Sequence, residues 1–121
     1  MARTDLQLAM LFPGQGSQTA DMREQVEAHR PDLLELARAE VSDDLFERAG
    51  DGTQWAQPAI FCAALAGYAQ LEDRYEADAL AGHSLGEITA LVAADAIDAE
   101  DGLRLVAARP RRRSRRRPPA R

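Results

Sequence analysis

The hydrophobic and polar positions of this chain follow two different periods. Short apolar runs occupy residues 6–12 and 77–81, the second interrupted by Asp78, and each has the length of a buried strand. Between and after these runs, apolar residues recur at three- and four-residue steps, as on the buried face of a helix. Because helices separate the two strands, the pattern predicts an α/β fold with a parallel sheet that helices cover on both faces.

Prolines and capping residues set the predicted helix limits. Residues 22–39 have helical character with a break at Pro31, and Pro58 is expected to open the next helix. The clearest helix covers residues 85–96, where the apolar side chains share one face. Asp98 can cap one further helix. Together with the two strands, these helices predict a small α/β domain.

A serine between two glycines stands at the junction of the second strand and the clearest helix. Gly82-His83-Ser84-Leu85-Gly86 has the spacing of a nucleophile elbow, in which small residues two positions either side of the serine let the backbone turn sharply. Ser84 would lie at the positive end of a helix dipole, where developing negative charge is stabilised. The pattern therefore indicates acyl transfer through Ser84. The alternative is a glycine-rich turn whose serine only caps the helix.

The first strand is followed by another loop that contains glycines, with the sequence Pro-Gly-Gln-Gly-Ser-Gln at residues 13–18. Its glycines permit a sharp turn that exposes backbone N–H groups. Acyl transfer needs fixed hydrogen-bond donors where the carbonyl oxygen becomes charged, and this loop can supply one of them. For the loop taken alone, an ordinary strand-to-helix connection is the alternative.

Three motifs occur in the order and rough spacing found in one enzyme family, at residues 12–18, 57–61 and 82–87. On these motifs the chain resembles the N-terminal portion of the malonyl-CoA:acyl-carrier-protein transacylases, over about residues 6–109. Acyltransferases of polyketide and fatty-acid synthases share the motifs, but the start at Met1 favours a free-standing transacylase. The resemblance implies an incomplete α/β hydrolase-like acyltransferase core, with residues 1–109 as the N-terminal part of that domain.

The resemblance also implies roles for individual residues. Ser84 matches the nucleophile that takes the acyl group as an ester, and the backbone N–H groups of Gln15 and Leu85 match the oxyanion hole. Arg109 matches the arginine that holds the malonyl carboxylate, a role that suits the planar guanidinium with its two parallel donors. A solvated charge at a helix end is the alternative for Arg109.

The implied reaction moves malonyl from coenzyme A to Ser84 and then to the phosphopantetheine thiol of an acyl carrier protein, as in fatty-acid biosynthesis. Coenzyme A is part of the substrate, so we expect no bound cofactor, and no Cys/His cluster suggests a metal. Serine needs a positioned base, which in this family is a distal histidine, whereas this chain has only His29 and His83. Since neither is expected to reach Ser84, we expect the chain as it stands to be inactive.

The composition changes abruptly at Pro110. Residues 1–108 carry seven arginines and twenty acidic residues, a formal charge of −13, whereas residues 109–121 carry eight arginines and no acid. Proline should end the helix at Arg109, and residues 110–121 are expected to form a disordered basic tail. Because lysine is absent, as GC-rich coding would favour, a frameshift is one possible origin of this tail.

The basic tail raises one alternative function, that of a basic-tailed binding protein. Arginines bind nucleic acid by neutralising phosphates and releasing counterions, and a gel shift with labelled DNA at several salt concentrations tests for this. The tail has no aromatic residues for base stacking and no apolar helix face for a membrane, so neither partner is expected.

The single cysteine and the hydropathy of the chain bear on its compartment. Cys62 is the only cysteine, which excludes an intramolecular disulfide, and its apolar surroundings in the sequence predict a core position. The sequence has neither a signal peptide nor a long apolar span, so a cytoplasmic protein is expected.

Overall fold

A computed structural model of the protein describes residues 8–14 and 21–115, and for residues 109–115 it describes the backbone only. Two strands and five helices follow one another in the order β1 (Ala9–Phe12), α1 (Met22–His29), α2 (Pro31–Glu40), α3 (Thr53–Glu72), β2 (Ala79–Gly82), α4 (Leu85–Ala93) and α5 (Ala99–Arg115). The predicted α/β class and both predicted strands are confirmed. None of the helices in the described ranges is long and apolar enough to cross a membrane.

The two strands pair in parallel, as the sequence predicts, and their register places Phe12 opposite Gly82. A reciprocal pair of hydrogen bonds holds the start of the sheet. The Leu8 N–H donates to Asp78 Oδ2 at 2.9 Å, and the Asp78 N–H donates to the Leu8 carbonyl at 2.8 Å. Asp78 interrupts the apolar run in the sequence, and its carboxylate serves here to join the two strands.

Helices cover only one face of this sheet in the described part of the chain. On that face Phe12 is buried and its ring centroid lies 5.8 Å from that of Tyr68 in α3, while α4 contacts both strands. On the other face Leu11 is 77% exposed. The coverage of both faces that is usual for a parallel sheet is therefore not found in the described residues, because all their helices pack together on the side of Phe12.

Helix α3 is the centre of the core, since it packs against the other four helices. Its length and its nearly continuous apolar sequence allow it to be buried on several sides. Cys62 lies in this core, as predicted, and is fully buried. The large apolar side chains that are fully buried in this core come from all five described helices and from the segment between α2 and α3, namely Val26, Leu33, Leu45, Phe61, Leu65, Leu85, Leu103 and Val106.

The predicted break at Pro31 and the predicted cap at Asp98 are confirmed, whereas the predicted helix start at Pro58 is wrong. Pro31 is the first residue of α2, and the Asp98 carboxylate accepts a hydrogen bond from the Asp101 N–H at 2.9 Å at the start of α5. Pro58, however, lies inside α3 and does not open it. The helix starts one turn earlier because the Gly52 carbonyl accepts hydrogen bonds from the N–H groups of residues 55 and 56.

Helix α5 continues past Pro110 to Arg115, whereas the sequence predicts that it ends at Arg109 and that the following residues are disordered. Proline lacks an N–H and so removes one backbone hydrogen bond, but the arginines on both sides are good helix formers. The predicted helix end is therefore wrong. The remainder of the predicted basic tail, residues 116–121, lies outside the described residues.

Replacing Gly102 by alanine should destabilise the protein. A Cβ at this position of α5 would lie 2.6 Å from Val92 Cγ2 and 3.0 Å from Phe61 Cζ, and both neighbours are buried. Val92 is also stiff because it is β-branched. We expect the free energy of unfolding, measured in denaturant, to fall by about 1–3 kcal/mol.

Gly67→Ala is the matched control for this substitution. Gly67 lies within α3, and nothing lies within 4 Å of the Cβ that alanine would add. Helix propensity alone should then raise the free energy of unfolding by about 0.5–1 kcal/mol. If Gly102→Ala stabilises the protein as Gly67→Ala does, the close approach of α5 to α3 and α4 is wrong.

Candidate functional site

Ser84 forms the turn between β2 and α4 and has a backbone conformation that few L-residues adopt. Its φ is +59° and its ψ is −113°, and it is exposed immediately before the first residue of α4. Positive φ at a non-glycine residue is strained and persists only where the surrounding structure enforces it. The turn therefore holds the serine outward at the N-terminus of a helix, as a nucleophile elbow does.

Close backbone contacts enforce this turn at both glycines of the motif. A Cβ on Gly82 would lie 1.9 Å from the Gly86 carbonyl oxygen, and a Cβ on Gly86 would lie 2.1 Å from the Phe12 carbonyl oxygen. Both obstacles are backbone atoms, which cannot move aside as a flexible side chain can. The structure thus requires glycine at the two positions that the sequence pattern singled out.

The serine does not serve as a helix cap. The Ser84 side chain makes no capping hydrogen bond to α4, and the first turn is closed by backbone bonds instead. The Gly86 N–H donates to the His83 carbonyl, and the Glu87 N–H donates to the Ser84 carbonyl, each at 2.9 Å. The capping alternative that the sequence leaves open therefore does not describe this turn.

The N-terminus of α4 places partial positive charge beside Ser84. Leu85 is the first residue of the helix, and its side chain is fully buried, which anchors the helix end. The dipole of a helix places partial positive charge at its N-terminus and so favours negative charge there. The backbone N–H of Leu85 lies at this end of α4, and its role as an oxyanion donor stays a prediction.

The loop after β1 reaches the same edge of the sheet as the elbow, because parallel strands end on the same side. A Cβ on Gly14 would lie 3.0 Å from the His83 carbonyl oxygen and 3.8 Å from His83 Nδ1, so the loop passes directly against the turn. The oxyanion donor predicted at Gln15 lies outside the described residues. The structure brings the residue before it, Gly14, beside the elbow.

Arg109 lies in helix α5, but of its side chain nothing is described. The connection between α4 and α5 is short, and Gly102 of α5 packs against Val92 of α4. The start of α5 therefore packs against the end of α4. The substrate-binding role of Arg109 stays a prediction.

The second motif of the sequence, residues 57–61, lies in α3 and is entirely buried. Phe61 packs beneath Gly102, so the motif fixes how α5 lies against the core. Sequence reasoning did not identify Tyr68, whose ring supports Phe12 under the elbow. Aromatic residues are few, with three Phe, two Tyr and one Trp. The available signal was that Tyr68 lies about two helical turns after Phe61, on the same face of a helix.

Two other ionisable side chains, Cys62 and Glu87, are not expected to act in acyl transfer. Burial raises the pKa of the Cys62 thiol to about 12, so its nucleophilic thiolate is scarce near neutral pH. Glu87 is an exposed carboxylate in the first turn of α4, where it favours the helix dipole. Among the residues whose side chains are described, no group of three or more His, Cys, Asp or Glu could hold a metal ion.

Comparison with known proteins gives consistent matches. The family described as the acyl transferase domain matches residues 9–120, which extends the resemblance beyond Arg109, where the sequence motifs end it. The polyketide biosynthesis protein ThaF of Burkholderia thailandensis is 47% identical over an alignment of 108 residues, and the match covers 81% of this chain and 9% of that protein. The malonyl CoA-acyl carrier protein transacylase of Escherichia coli K12 is 39% identical over 112 residues, covering 83% of this chain and 36% of that protein.

A solved structure agrees with the fold. The crystal structure of the malonyl CoA-acyl carrier protein transacylase from Burkholderia pseudomallei superposes with a TM-score of 0.78 at 38% identity, and the match covers 93% of this chain and 42% of that one. The chain thus spans less than half the length of the relatives that it matches. With the ordered motifs, the elbow geometry and the family match in agreement, this chain belongs to the acyl transferase domain family.

Proposed function

We propose that this chain carries the acyl-accepting serine of a malonyl-CoA:acyl-carrier-protein transacylase. The observation that carries the proposal is the conformation of Ser84, which has a φ of +59° between two glycines that no larger residue can replace, at the N-terminus of α4. Membership of the acyl transferase domain family supports acyl transfer as the reaction class. Within the same proposal, residues 1–109 are part of an α/β hydrolase-like acyltransferase domain, and the basic residues 110–121 follow it, beginning as a continuation of α5.

In the first half-reaction, Ser84 Oγ attacks the thioester carbonyl carbon of malonyl-CoA and gives up its proton to a base. The carbonyl oxygen becomes negatively charged, and collapse of this intermediate breaks the carbon–sulfur bond and releases coenzyme A as a thiol. In the second half-reaction the phosphopantetheine thiol of an acyl carrier protein attacks the Ser84 ester and regenerates the hydroxyl. Coenzyme A enters only as the carrier of malonyl, so the proposal includes no resident cofactor.

The proposal assigns two of the groups that this reaction needs to residues of this chain. The backbone N–H of Leu85 at the start of α4, with that of Gln15 in the β1 loop, forms the proposed oxyanion hole, and one such donor contributes roughly 3–4 kcal/mol of barrier lowering. Arg109 is proposed to hold the malonyl carboxylate through two parallel hydrogen bonds.

In this proposal the chain itself does not supply the base that accepts the proton of the Ser84 hydroxyl. Its histidines are His29, the last residue of α1, and His83, which directly precedes Ser84 in the turn. Neither is expected to reach the Ser84 hydroxyl. We propose that the chain by itself accepts an acyl group slowly and turns over poorly, and that it acts on malonyl-CoA and acyl carrier protein in the cytoplasm.

Incubation with malonyl-CoA should add one malonyl group to the protein, and Ser84→Ala should abolish this addition. Intact-protein mass spectrometry and peptide mapping measure it. Cys62→Ala is the control, because the Cys62 thiol is buried with a pKa raised to about 12 and should not be the acceptor. Acylation that persists in Ser84→Ala and is lost in Cys62→Ala would assign the chemistry to the thiol and refute the proposal.

Gly86→Ala should disrupt the elbow and abolish acylation of Ser84. The added Cβ would lie 2.1 Å from the Phe12 carbonyl oxygen, so α4 must move away from β1, at a cost of about 3 kcal/mol or more. Gly50→Ala is the matched control, since its Cβ meets nothing within 4 Å. Both variants are compared by thermal melting and by the rate of malonyl transfer to Ser84, and equal rates would mean that the turn geometry is not what activates the serine.

Steady-state transfer to acyl carrier protein should be slower than that of a full-length relative, such as the Escherichia coli enzyme, by about 10⁴-fold or more. Loss of the base from a serine site removes most of the rate, while the oxyanion donors retain part of it. A radiolabelled malonyl transfer assay with both proteins measures the ratio. Turnover within tenfold of the relative, abolished by Ser84→Ala, would show that a residue of this chain acts as the base.

A further inference from the structure

Phe12 contacts the chain on both sides of Ser84. It is the last residue of β1, and its carbonyl accepts a hydrogen bond from the His83 N–H at 3.4 Å. A Cβ on Gly86 would lie 2.1 Å from the same carbonyl oxygen and 3.3 Å from the Cβ of Phe12. One residue precedes Ser84 directly and the other follows it by two positions, so the position of Phe12 limits the path of the whole turn.

The ring of Phe12 is held by Tyr68 of α3. The two ring centroids lie 5.8 Å apart, and the ring planes make an angle of 59°, which is a tilted arrangement that aromatic pairs favour. Phe12 is buried and Tyr68 is half-buried, so the pair joins the end of β1 to the central helix. Because β1 has only four residues, a change at this ring also affects the backbone that the turn contacts.

The hydroxyl of Tyr68 stays protonated near neutral pH. Burial is the largest cause that raises its pKa, and the carboxylates of Glu72 and Asp95 raise it further. A neutral phenol does not accept a proton from a serine hydroxyl, so Tyr68 is not the base for Ser84. Any effect of this residue on the site therefore comes from the contact that its ring makes.

We propose that Tyr68 is a positioning residue for Ser84 and that its ring, acting through Phe12, holds the elbow in the conformation that reacts. The inference rests on the proposed function, since it concerns the same serine. Misplacement of a reacting group by about 1 Å can lower a rate by about 100-fold, so a residue that never contacts the substrate can still control the reaction. Tyr68 then affects the rate constant of acylation and not the binding of malonyl-CoA.

A purely structural role for Tyr68 predicts a different result. Loss of packing anywhere in the core lowers the free energy of unfolding, whereas loss of a positioning residue also slows the reaction of protein that is still folded. Phe46 gives the matched comparison. It is a half-buried aromatic residue in the segment between α2 and α3, and it packs against the same helical core.

The rate of Ser84 acylation in the full chain tests the proposal. Intact-protein mass spectrometry follows it over a series of malonyl-CoA concentrations, at a temperature where circular dichroism shows each variant folded. Tyr68→Leu should lower the maximal rate constant by about 10-fold or more and leave the half-saturating concentration within about threefold. Tyr68→Phe keeps the ring and should stay within about threefold of the unmodified chain, as should Phe46→Leu.

A double-mutant cycle tests whether Tyr68 acts through Phe12. Phe12→Leu keeps the backbone contacts of β1 but removes the ring, so it should slow acylation as Tyr68→Leu does. The combined variant should then be no more than about twofold slower than Phe12→Leu alone, because both changes remove one interaction. Phe12→Leu also provides the test if Tyr68→Leu does not fold.

Two further measurements separate this inference from the proposed function. A fluorophosphonate forms an oxygen–phosphorus bond with Ser84 Oγ, while fluoride leaves and the hydroxyl proton passes to the buffer. If this reagent labels Ser84 and malonyl-CoA does not, the proposed function fails, and the labelling rates of the same variants still test Tyr68. If neither reagent labels Ser84, amide hydrogen exchange of residues 83–87 decides, and it should be faster in Tyr68→Leu than in Phe46→Leu.

Three results would each overturn the inference. The first is equal slowing of the Ser84 reaction by Tyr68→Leu and Phe46→Leu. The second is slowing by Tyr68→Phe as large as that by Tyr68→Leu. The third is amide exchange of the turn that is no faster in Tyr68→Leu than in Phe46→Leu.

Discussion

The contact between the backbone of Gly86 and the carbonyl of Phe12 is the constraint on which the site depends. It brings the first turn of α4 against the end of β1 more closely than any side chain would allow. A second close contact, between Gly82 and the Gly86 carbonyl, fixes the end of β2 on the other side of the turn. Between these two contacts the chain has little choice of path, and Ser84 adopts its positive φ as a result.

Another close contact at a glycine positions the helices relative to one another. Gly102 of α5 lies against Val92 of α4 and Phe61 of α3, so three helices meet where one has no side chain. Dispersion attraction and the burial of apolar surface stabilise such close contact, because a protein interior is packed as densely as an organic crystal. The elbow and the course of α5 are therefore linked through α4, which contains both contacts.

Electrostatic interactions stabilise this arrangement less than packing does. Arg104 of α5 donates two hydrogen bonds, each 3.0 Å long, to the Glu40 carboxylate of α2, and pairs also with Glu100. Its pKa is raised, with the Glu40 hydrogen bond as the largest cause. Because the guanidinium is more than half exposed, solvent screens these pairs, and they contribute little to the free energy of unfolding. They connect α5 to α2 at the protein surface.

The sequence by itself determined the α/β class, the two parallel strands, the break at Pro31, the Asp98 cap and the glycine-flanked serine, because each depends on local periodicity or on the conformational limits of one residue. Only the tertiary structure decided the rest. Helix α3 begins before Pro58, where Gly52 accepts the first hydrogen bonds, and α5 continues beyond Pro110. The exposed face of the sheet at Leu11 and the need for glycine at position 86 also depend on which elements come together in space. A local sequence pattern does not contain that information.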